Sequence, residues 1–213
     1  MKIPQLRKQP EKKSCHGYSW IDEYSWIHQD NCLEILRDTS KLNPEVRKYL
    51  EEENAYTKAK MEDTLSLQKK LFDEIEGRIK LDDESLPYKD RNYEYWTRTT
   101  KEGNYFKKLR KKIGDSKIEC YFDGDLEAKG KKFFSTGDLT VSYDDNLLAY
   151  SVDDKGGEYF TIFIRRISDN KITEEIGQTA GGVVWAYDDK SFFYRKHDSQ
   201  KRPRQIFQHK LGT

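Results

Sequence analysis

The residues of this chain whose types could carry chemistry are pairs of neighbouring carboxylates. They occur as Asp144-Asp145, Asp153-Asp154 and Asp188-Asp189. Two carboxylates together can ligate a hard cation or serve as general acid and general base. The pairs recur at equivalent positions of a sequence repeat, however, and Asp favours tight turns because its side chain hydrogen-bonds its own backbone. We therefore interpret all three pairs as turn residues and assign no metal to them.

The histidines and glycines form no catalytic pattern. No two of the four histidines are spaced as an i, i+4 ligand pair, and there is no Gly-x-Ser-x-Gly nucleophile turn; the histidines are His16, His28, His197 and His209. Gly156-Gly157 and Gly181-Gly182 precede no Lys-Ser/Thr pair, so we predict turns rather than a phosphate loop. We assign no catalytic residue, no cofactor-binding residue and no metal ligand, and we expect no cofactor.

One basic run, Lys107 to Lys112, could contact nucleic acid. The whole chain is neutral, however, with 39 Lys and Arg against 38 Asp and Glu. We interpret the run as a charged outer strand that resists edge-to-edge pairing. We expect no nucleic acid and no membrane among the partners, since no apolar run approaches the roughly 18 residues needed to cross a bilayer. A nucleic-acid site would instead give strongly salt-dependent binding.

Composition indicates a thin core. Charged residues make up 36% of the 213 residues, and hydrophobic residues 35%, or about 41% when Gly is counted. Typical domains have about 25% charged residues and 45–50% apolar residues with Gly included. We infer that part of the burial is supplied by protein outside this sequence. The cysteines Cys15, Cys32 and Cys120 are odd in number and widely spaced, and the N-terminus lacks an apolar signal segment. Both features favour a reducing, cytoplasmic location.

A repeat organises the second half of the chain. The segment 143–150 returns as 187–194, a shift of 44 residues, and the same shift relates Ile162-Phe163 to Ile206-Phe207 and Ile167 to Leu211. A repeat of about 40–50 residues built from short strands is typical of β-propeller blades, which must stack to bury both faces.

A weaker copy lies 54 residues upstream, where 101–106 resembles 155–160. A longer outer connection through Asp123 to Lys132 would account for the larger shift. The alternative is two unrelated hairpins with similar turns.

The sequence divides into four predicted segments. Residues 1–13 are predicted to form a flexible tail, 14–80 a helical segment, 81–91 a linker containing Pro87, and 92–213 the propeller blades. Within the helical segment, Asn43-Pro44-Glu45 predicts a helix start with Asn43 as the N-cap, and the helical pattern ends near Gly77.

Ordered motifs resemble a known family. Three N-terminal stretches are similar to the N-terminal region of the prolyl oligopeptidase family: 22–26 (Asp-Glu-Tyr-Ser-Trp), 46–56 and 74–79. Later stretches resemble the oligopeptidase B branch of that family; these are 157–160, 183–188, 192–194 and 209–213. One departure is Ile27-His28-Gln29, where the family usually has Leu-Arg-Asp.

The resemblance implies a fold and an activity. Members are serine peptidases acting on short peptides, in which a seven-bladed propeller covers an α/β-hydrolase domain carrying a Ser-Asp-His triad, and the oligopeptidase B branch cuts after Arg or Lys. This sequence resembles about the first third of such an enzyme. It would supply the helical segment that packs on the hydrolase domain and the first two to three blades of a partial propeller. No triad residue is carried over, the hydrolase domain is missing, and the chain alone is expected to be inactive. Its partners would be short peptide substrates and the missing hydrolase domain.

The resemblance also implies that four aromatic residues lack their usual partner, namely Tyr18, Trp20, Tyr24 and Trp26. An alternative function remains from the residues themselves. The chain could act as a non-catalytic interaction module that uses the open propeller edge or the helical face.

Overall fold

The first part of the chain folds as a hairpin followed by helices. The computed structural model describes residues 2–213 and divides the chain into two compact units, the first ending at Ile79 and the second spanning Lys80–Thr213. The first unit contains strands β1 (Glu11–Cys15) and β2 (Tyr18–Asp22) and helices α1 (Cys32–Arg37), α2 (Pro44–Lys60) and α3 (Leu65–Glu76), with single 3₁₀ turns at Ser25–Ile27, Thr39–Lys41 and Glu62–Thr64. In the part of the chain described, no helix is both long and apolar enough to cross a membrane.

The prediction of a flexible tail at 1–13 is wrong for residues 11–13. Residues 11–13 belong to β1, which pairs with β2 in antiparallel register. Upstream of the strand, Arg7 forms an ion pair with Glu45 at 2.8 Å and stacks over the Trp26 ring at 5.0 Å. The Trp26 indole N–H also donates to the Arg7 carbonyl at 2.9 Å. These contacts join residues far apart in sequence, so local composition does not reveal them.

The predicted start of α2 is confirmed. The Asn43 Oδ1 atom accepts from the backbone N–H of Glu45 at 2.8 Å and of Val46 at 3.4 Å, and Pro44 occupies the first helical position. Helix α3 ends at Glu76 with Gly77 as its C-cap. Its apolar side chains are solvent-exposed in this chain; they are Leu65, Leu67, Leu71, Phe72 and Ile75.

The second unit consists of three antiparallel sheets in chain order. Sheet 1 contains β3 (Asp83–Glu84), β4 (Tyr88–Asp90), β5 (Tyr93–Thr99), β6 (Lys107–Lys112) and β7 (Ile118–Asp123), and helix α4 (Gly124–Ala128) follows it. Sheet 2 contains β8 (Ser135–Val141), β9 (Leu147–Asp153), β10 (Phe160–Arg166) and β11 (Ile172–Thr179). Sheet 3 contains β12 (Val183–Trp185), β13 (Ser191–His197) and β14 (Pro203–Lys210), and β12 and β14 are its edge strands.

The prediction of a linker at 81–91 is also wrong. Strands β3 and β4 lie within it and both pair with β5, β3 opposite the end of that strand and β4 opposite its beginning. Pro87 interrupts the two strands without removing them from the sheet, because it falls in the gap between them.

The repeat is confirmed in the backbone. The N–H of Ile167 donates to the carbonyl of Asn146, and 44 residues later Leu211 donates in the same way to Lys190. The weaker copy makes the equivalent hydrogen bond 54 residues upstream, where the N–H of Ile113 donates to the carbonyl of Asn92. Helix α4 occupies the connection between sheets 1 and 2 and lengthens it, which explains the larger shift.

The core lies between the sheets. One hydrophobic cluster joins sheets 1 and 2 and includes Tyr95, Phe122, Leu148, Tyr150 and Val152. The other joins sheets 2 and 3 and includes Ala149, Ile164, Trp185, Phe192 and Tyr194. Strand β9 alternates between the two clusters and is therefore buried on both faces, as expected for stacked sheets. Each large apolar side chain buried in this way stabilises the fold by about 1.5–3 kcal/mol.

The basic run Lys107 to Lys112 forms β6, and the prediction of an outer strand is wrong. Strand β6 lies between β5 and β7 and pairs with both. Its cations meet carboxylates on the flanking strands: Lys107 pairs with Asp123, Lys111 with Glu94 and Arg110 with Glu119. Because the partners come from other strands, the run looks unbalanced only in the linear sequence.

Candidate functional site

Three equivalent turns stand at the same end of the three sheets. Each turn connects the strand at one edge of its sheet to the next strand; the turns are 90–92 (Asp-Arg-Asn), 144–146 (Asp-Asp-Asn) and 188–190 (Asp-Asp-Lys). The middle residue of each has a positive φ: Arg91 at 52°, Asp145 at 63° and Asp189 at 55°. Aspartate is among the non-glycine residues that tolerate this left-handed conformation best.

Asp189 ties sheet 3 to sheet 2. Its two carboxylate oxygens accept from the backbone N–H of Tyr143 at 2.6 Å and of Asp144 at 2.8 Å. Both donors lie in the turn of the preceding sheet. The carboxylate therefore satisfies two backbone donors of sheet 2, and it orients the Tyr143 side chain through the Tyr143 backbone.

Asp145 ties sheet 2 to sheet 1 in the same direction. Its carboxylate is buried and accepts from Asn92 Nδ2 at 2.9 Å and from the Tyr95 hydroxyl at 3.2 Å, while Arg91 Nε lies 3.5 Å away. Burial, reinforced by the negative charge of Asp145, raises the pKa of Tyr95 to about 12. Tyr95 therefore keeps its proton to a higher pH than an ordinary tyrosine and donates it to the Asp145 carboxylate.

Two buried arginines connect sheets 1 and 2 reciprocally. Arg110 of sheet 1 donates to the Asp145 carbonyl at 2.7 Å. Arg165 of sheet 2 donates to the Tyr121 carbonyl at 3.0 Å and pairs with Glu127 of α4. Both guanidinium groups also lie over tyrosine rings, with Arg110 4.3 Å from Tyr93. These groups fix the relative position of the two sheets.

The strands that carry these turns border a concave surface with a volume of about 910 Å³. Its wall is rich in aromatic side chains, including Tyr88, Tyr95, Tyr121, Trp185 and Tyr187. The indole N–H of Trp185 donates to the Thr140 carbonyl at 3.3 Å, so that side chain is fixed by a neighbouring sheet. A concave surface with aromatic walls and a few polar groups is the usual form of a ligand site.

Tyr143 and Tyr187 occupy equivalent positions of the repeat and pack together. Their ring centroids are 5.1 Å apart, and the Arg91 guanidinium lies 5.2 Å from the Tyr143 ring. Arg91 also forms an ion pair with Asp90, with 3.0 Å between Nη2 and Oδ2. The three residues Arg91, Tyr143 and Tyr187 thus form a stack along the turns of successive sheets.

The predicted turn role of the aspartate pairs agrees with the contacts. Asp153 accepts from the backbone N–H of Lys155, Gly156 and Glu158. The prediction that its pair is equivalent to the other two is wrong, because Asp153 lies at the opposite end of β9 from Asp144. Burial alone would raise the pKa of Asp144, but hydrogen bonds from Ser142 and Asn146 lower it below its ordinary value. The repeat pattern shows that Asp145 and Asp189 are equivalent. It does not show that the carboxylate of each accepts hydrogen bonds from the preceding sheet.

The histidines are dispersed. His16 lies in the β1–β2 turn, and His28 is 3.5 Å from Asp30. His209 pairs with Glu174, and His197 packs edge-on against Tyr159 at 5.3 Å. Within residues 2–213, no three His, Cys, Asp or Glu side chains are grouped to hold a metal ion.

Comparison with known proteins defines the class. A family profile described as "Prolyl oligopeptidase, N-terminal beta-propeller domain" matches residues 4–213. Dipeptidyl aminopeptidase BI from Pseudoxanthomonas mexicana is 31% identical and aligns with 99% of this chain but 30% of its own length.

Solved structures give the same assignment. Oligopeptidase B from Leishmania major superposes with a TM-score of 0.85 and 28% sequence identity. The superposition covers all of this chain and 31% of the Leishmania major chain. Oligopeptidase B from Trypanosoma brucei, in a closed form with covalently bound antipain, superposes with a TM-score of 0.85 and 25% sequence identity.

The chain belongs to the prolyl oligopeptidase family and forms part of its N-terminal propeller region. It spans about 30% of the length of the curated relatives that it matches.

Proposed function

We propose that this chain is the N-terminal segment and the first two to three blades of a serine-type oligopeptidase that cuts short peptides after Arg or Lys. The observation that carries the proposal is the superposition of the whole of this chain on 31% of each of two oligopeptidase B chains. The propeller would limit access to a Ser-Asp-His triad, in which His activates Ser for attack on the peptide carbonyl. The triad would lie in an α/β-hydrolase domain outside these residues.

The segment 14–80 would pack on that hydrolase domain. The exposed apolar side chains of α3 support this assignment, since a stripe of this kind is normally covered in a folded protein. The hairpin aromatics Tyr18 and Trp20 are also exposed, at 78% and 47%. We further propose a cytoplasmic location, supported by the free thiols of Cys15, Cys32 and Cys120.

The proposal is tested on the native protein. An antibody raised against residues 43–79 should detect a species of about three times the 25.3 kDa of this chain, as the coverage of the relatives suggests. That species should hydrolyse an Arg-linked fluorogenic peptide and react with a fluorophosphonate serine probe, while the recombinant 213-residue chain should do neither. Inhibitor-sensitive turnover by the recombinant chain would contradict the assignment.

The gating proposal needs a separate test. The large species should cut an Arg-containing peptide when it is free and leave the same sequence intact when it is inserted into a loop of a folded protein. Equal cleavage of both substrates would contradict a role of the propeller in excluding large substrates.

A non-catalytic interaction module is the second candidate. The observation that favours it is the outer face of sheet 3, where Val184 of β12 and Ile206 of β14 are 65% and 75% exposed on the two edge strands. This function predicts a defined dimer or complex in sedimentation experiments. A monodisperse, fully folded monomer that captures no partner would count against it.

A further inference from the structure

One lysine of the basic strand β6, Lys108, differs from its neighbours in the groups that surround it. Three neighbouring cations are paired with carboxylates, namely Lys107 with Asp123, Arg110 with Glu119 and Lys111 with Glu94. The Lys108 Nζ atom instead donates to the Thr97 hydroxyl at 2.9 Å and lies 5.0 Å from the centre of the Phe106 ring. No carboxylate in residues 2–213 lies within ion-pair distance of it, so this lysine is held by neutral groups.

The fold places the Lys108 side chain at the margin of the core. On the neighbouring strands it stands opposite Thr97 of β5 and Phe122 of β7. Phe122 is fully buried in the cluster between sheets 1 and 2, and Phe106 packs against the same cluster. Lys108 is therefore half-buried, on the side of β6 that meets sheet 2. Water reaches the amine only in part, and the apolar rings replace the rest of its hydration.

This environment changes the chemistry of the amine. Burial lowers the pKa of Lys108 below the ordinary value of a lysine, because it penalises the charged form. At the adjacent Lys107, the hydrogen bond to Asp123 raises the pKa. A larger share of Lys108 is therefore uncharged at neutral pH. The uncharged amine is the nucleophilic form, and desolvation is one of the ways in which lysines are activated as nucleophiles.

We propose that Lys108 is a site of covalent acylation, at which a small acyl phosphate reacts at neutral pH. The Nζ lone pair attacks the acyl carbon, the bond from that carbon to the phosphate oxygen breaks, and inorganic phosphate leaves. The nitrogen loses a proton to water, and an amide replaces the amine. The amide is neutral, so it suits the space beside Thr97 and Phe106 better than an ammonium group does.

The test treats the folded 213-residue chain with acetyl phosphate. Mass spectrometry of Glu-C peptides measures acetylation, and fragment ions separate Lys107 from Lys108. At pH 7, Lys108 should be acetylated about 3–10-fold faster than Lys107, because the two are similarly buried and differ in the share of uncharged amine. Equal or slower acetylation of Lys108 would overturn the proposal.

The pH dependence separates charge from access. The rate difference should narrow at pH 10, because the uncharged share of Lys108 approaches its limit before that of Lys107 does. A ratio of rates that stays constant from pH 7 to pH 10 would mean that access alone decides, and would contradict the proposal. In concentrated guanidinium chloride the two lysines lose their partners and should react equally. A difference that persists in the unfolded chain would also overturn the structural explanation.

A variant provides the matched control. Asp123→Asn removes the charge that faces Lys107, while asparagine can still cap α4 as Asp123 does. Acetylation of Lys107 should rise towards that of Lys108, and the rate at Lys108 should stay the same. If Asp123→Asn changed neither rate, charge pairing would not explain the difference between the two lysines, and the proposal would fail.

Discussion

Asp145 is the residue on which the contact between sheets 1 and 2 converges. Its carboxylate accepts from Asn92 and Tyr95, and its carbonyl accepts from the buried Arg110. A buried carboxylate is stabilising only when its acceptors are satisfied, as they are here. The backbone of Asp145 also adopts the left-handed conformation that its turn requires. The residue therefore contributes both to its own turn and to the contact between the two sheets.

Asp145→Asn should destabilise the chain measurably. Asparagine tolerates the same backbone conformation, but its amide replaces one acceptor by a donor and removes the charge facing Arg91. Hydrogen bonds to charged groups contribute about 1.5–3 kcal/mol, and we expect a loss of that size in the free energy of unfolding. Urea denaturation followed by circular dichroism measures it. Asp154→Asn, at an exposed position, is the control, and equal losses in both variants would refute the inter-sheet role.

Tyr95 should make stability depend on alkaline pH. Burial first, and Asp145 second, raise its pKa from 10.0 to about 12, so the folded chain retains a proton that the unfolded chain has lost. This stabilising contribution is complete below pH 10 and is lost as the pH rises from 10 to about 12.

The measurement compares Tyr95→Phe with the parent chain. Urea midpoints taken at intervals across this pH range should fall more steeply for the parent than for the variant, which has no hydroxyl to titrate. If the urea midpoints of the two proteins fell equally steeply with pH, Tyr95 would not be the source of the pH dependence. A constant difference between the two midpoints, already present at pH 8, would not alter that conclusion.

At the scale of elements, the sheets are held by faces that alternate along a strand. In β13, Phe192 is fully buried against Trp185 of β12 at 5.7 Å, whereas its neighbour Phe193 points to the opposite face and is 38% exposed. The two residues have the same chemistry and adjacent positions, so they differ only in what covers them.

Phe192→Ala should therefore cost much more than Phe193→Ala. Removing a fully buried phenylalanine typically lowers the free energy of unfolding by about 3–5 kcal/mol, since it loses transfer energy and leaves a cavity. For Phe193→Ala we expect about 1 kcal/mol or less. Guanidinium denaturation of both variants decides the point. Similar costs would mean that the outer face of sheet 3 is covered in solution.

Local signals predicted the elements better than they predicted the partners. Asn43-Pro44-Glu45 defined the start of α2 because a cap is made within one turn of chain. The 44-residue repeat predicted stacked sheets because equivalent strands carry equivalent patterns. The strands in 81–91 and the inner position of Lys107 to Lys112 were missed because their pairing partners lie in β5 and β7.

The candidate site was less predictable than the fold. The sequence places Tyr143 and Tyr187 at equivalent positions, but the Arg91 guanidinium over Tyr143 comes from another sheet. Similarly, Asp145 and Asp189 were recognised as turn residues, while their hydrogen bonds to the preceding sheet depend on how the sheets stack. Long-range geometry of this kind is fixed by the tertiary fold.

On the scale of the whole molecule, apolar surface remains uncovered in each of the two units. In the first unit it is the stripe on α3, where Phe72 and Ile75 are 63% and 62% exposed. In the second it is the outer face of sheet 3, around Val184 and Ile206. The sequence has few hydrophobic residues, and several of those it has are exposed and do not belong to the core. Both features reduce the amount of apolar surface that this chain buries.

The native chain should consequently bind a hydrophobic dye, and charge on α3 should reduce that binding. Phe72→Glu with Ile75→Glu removes two exposed apolar side chains without opening a cavity, so the free energy of unfolding should change by only about 0.5 kcal/mol per site. The fluorescence of anilinonaphthalene sulfonate added to the folded chain should fall substantially. Gln68→Glu, on the same helix, adds charge without removing apolar area and should leave the fluorescence nearly unchanged. Equal dye binding by all three proteins would mean that the α3 stripe is already covered, and the proposal that it packs on a hydrolase domain would lose its support.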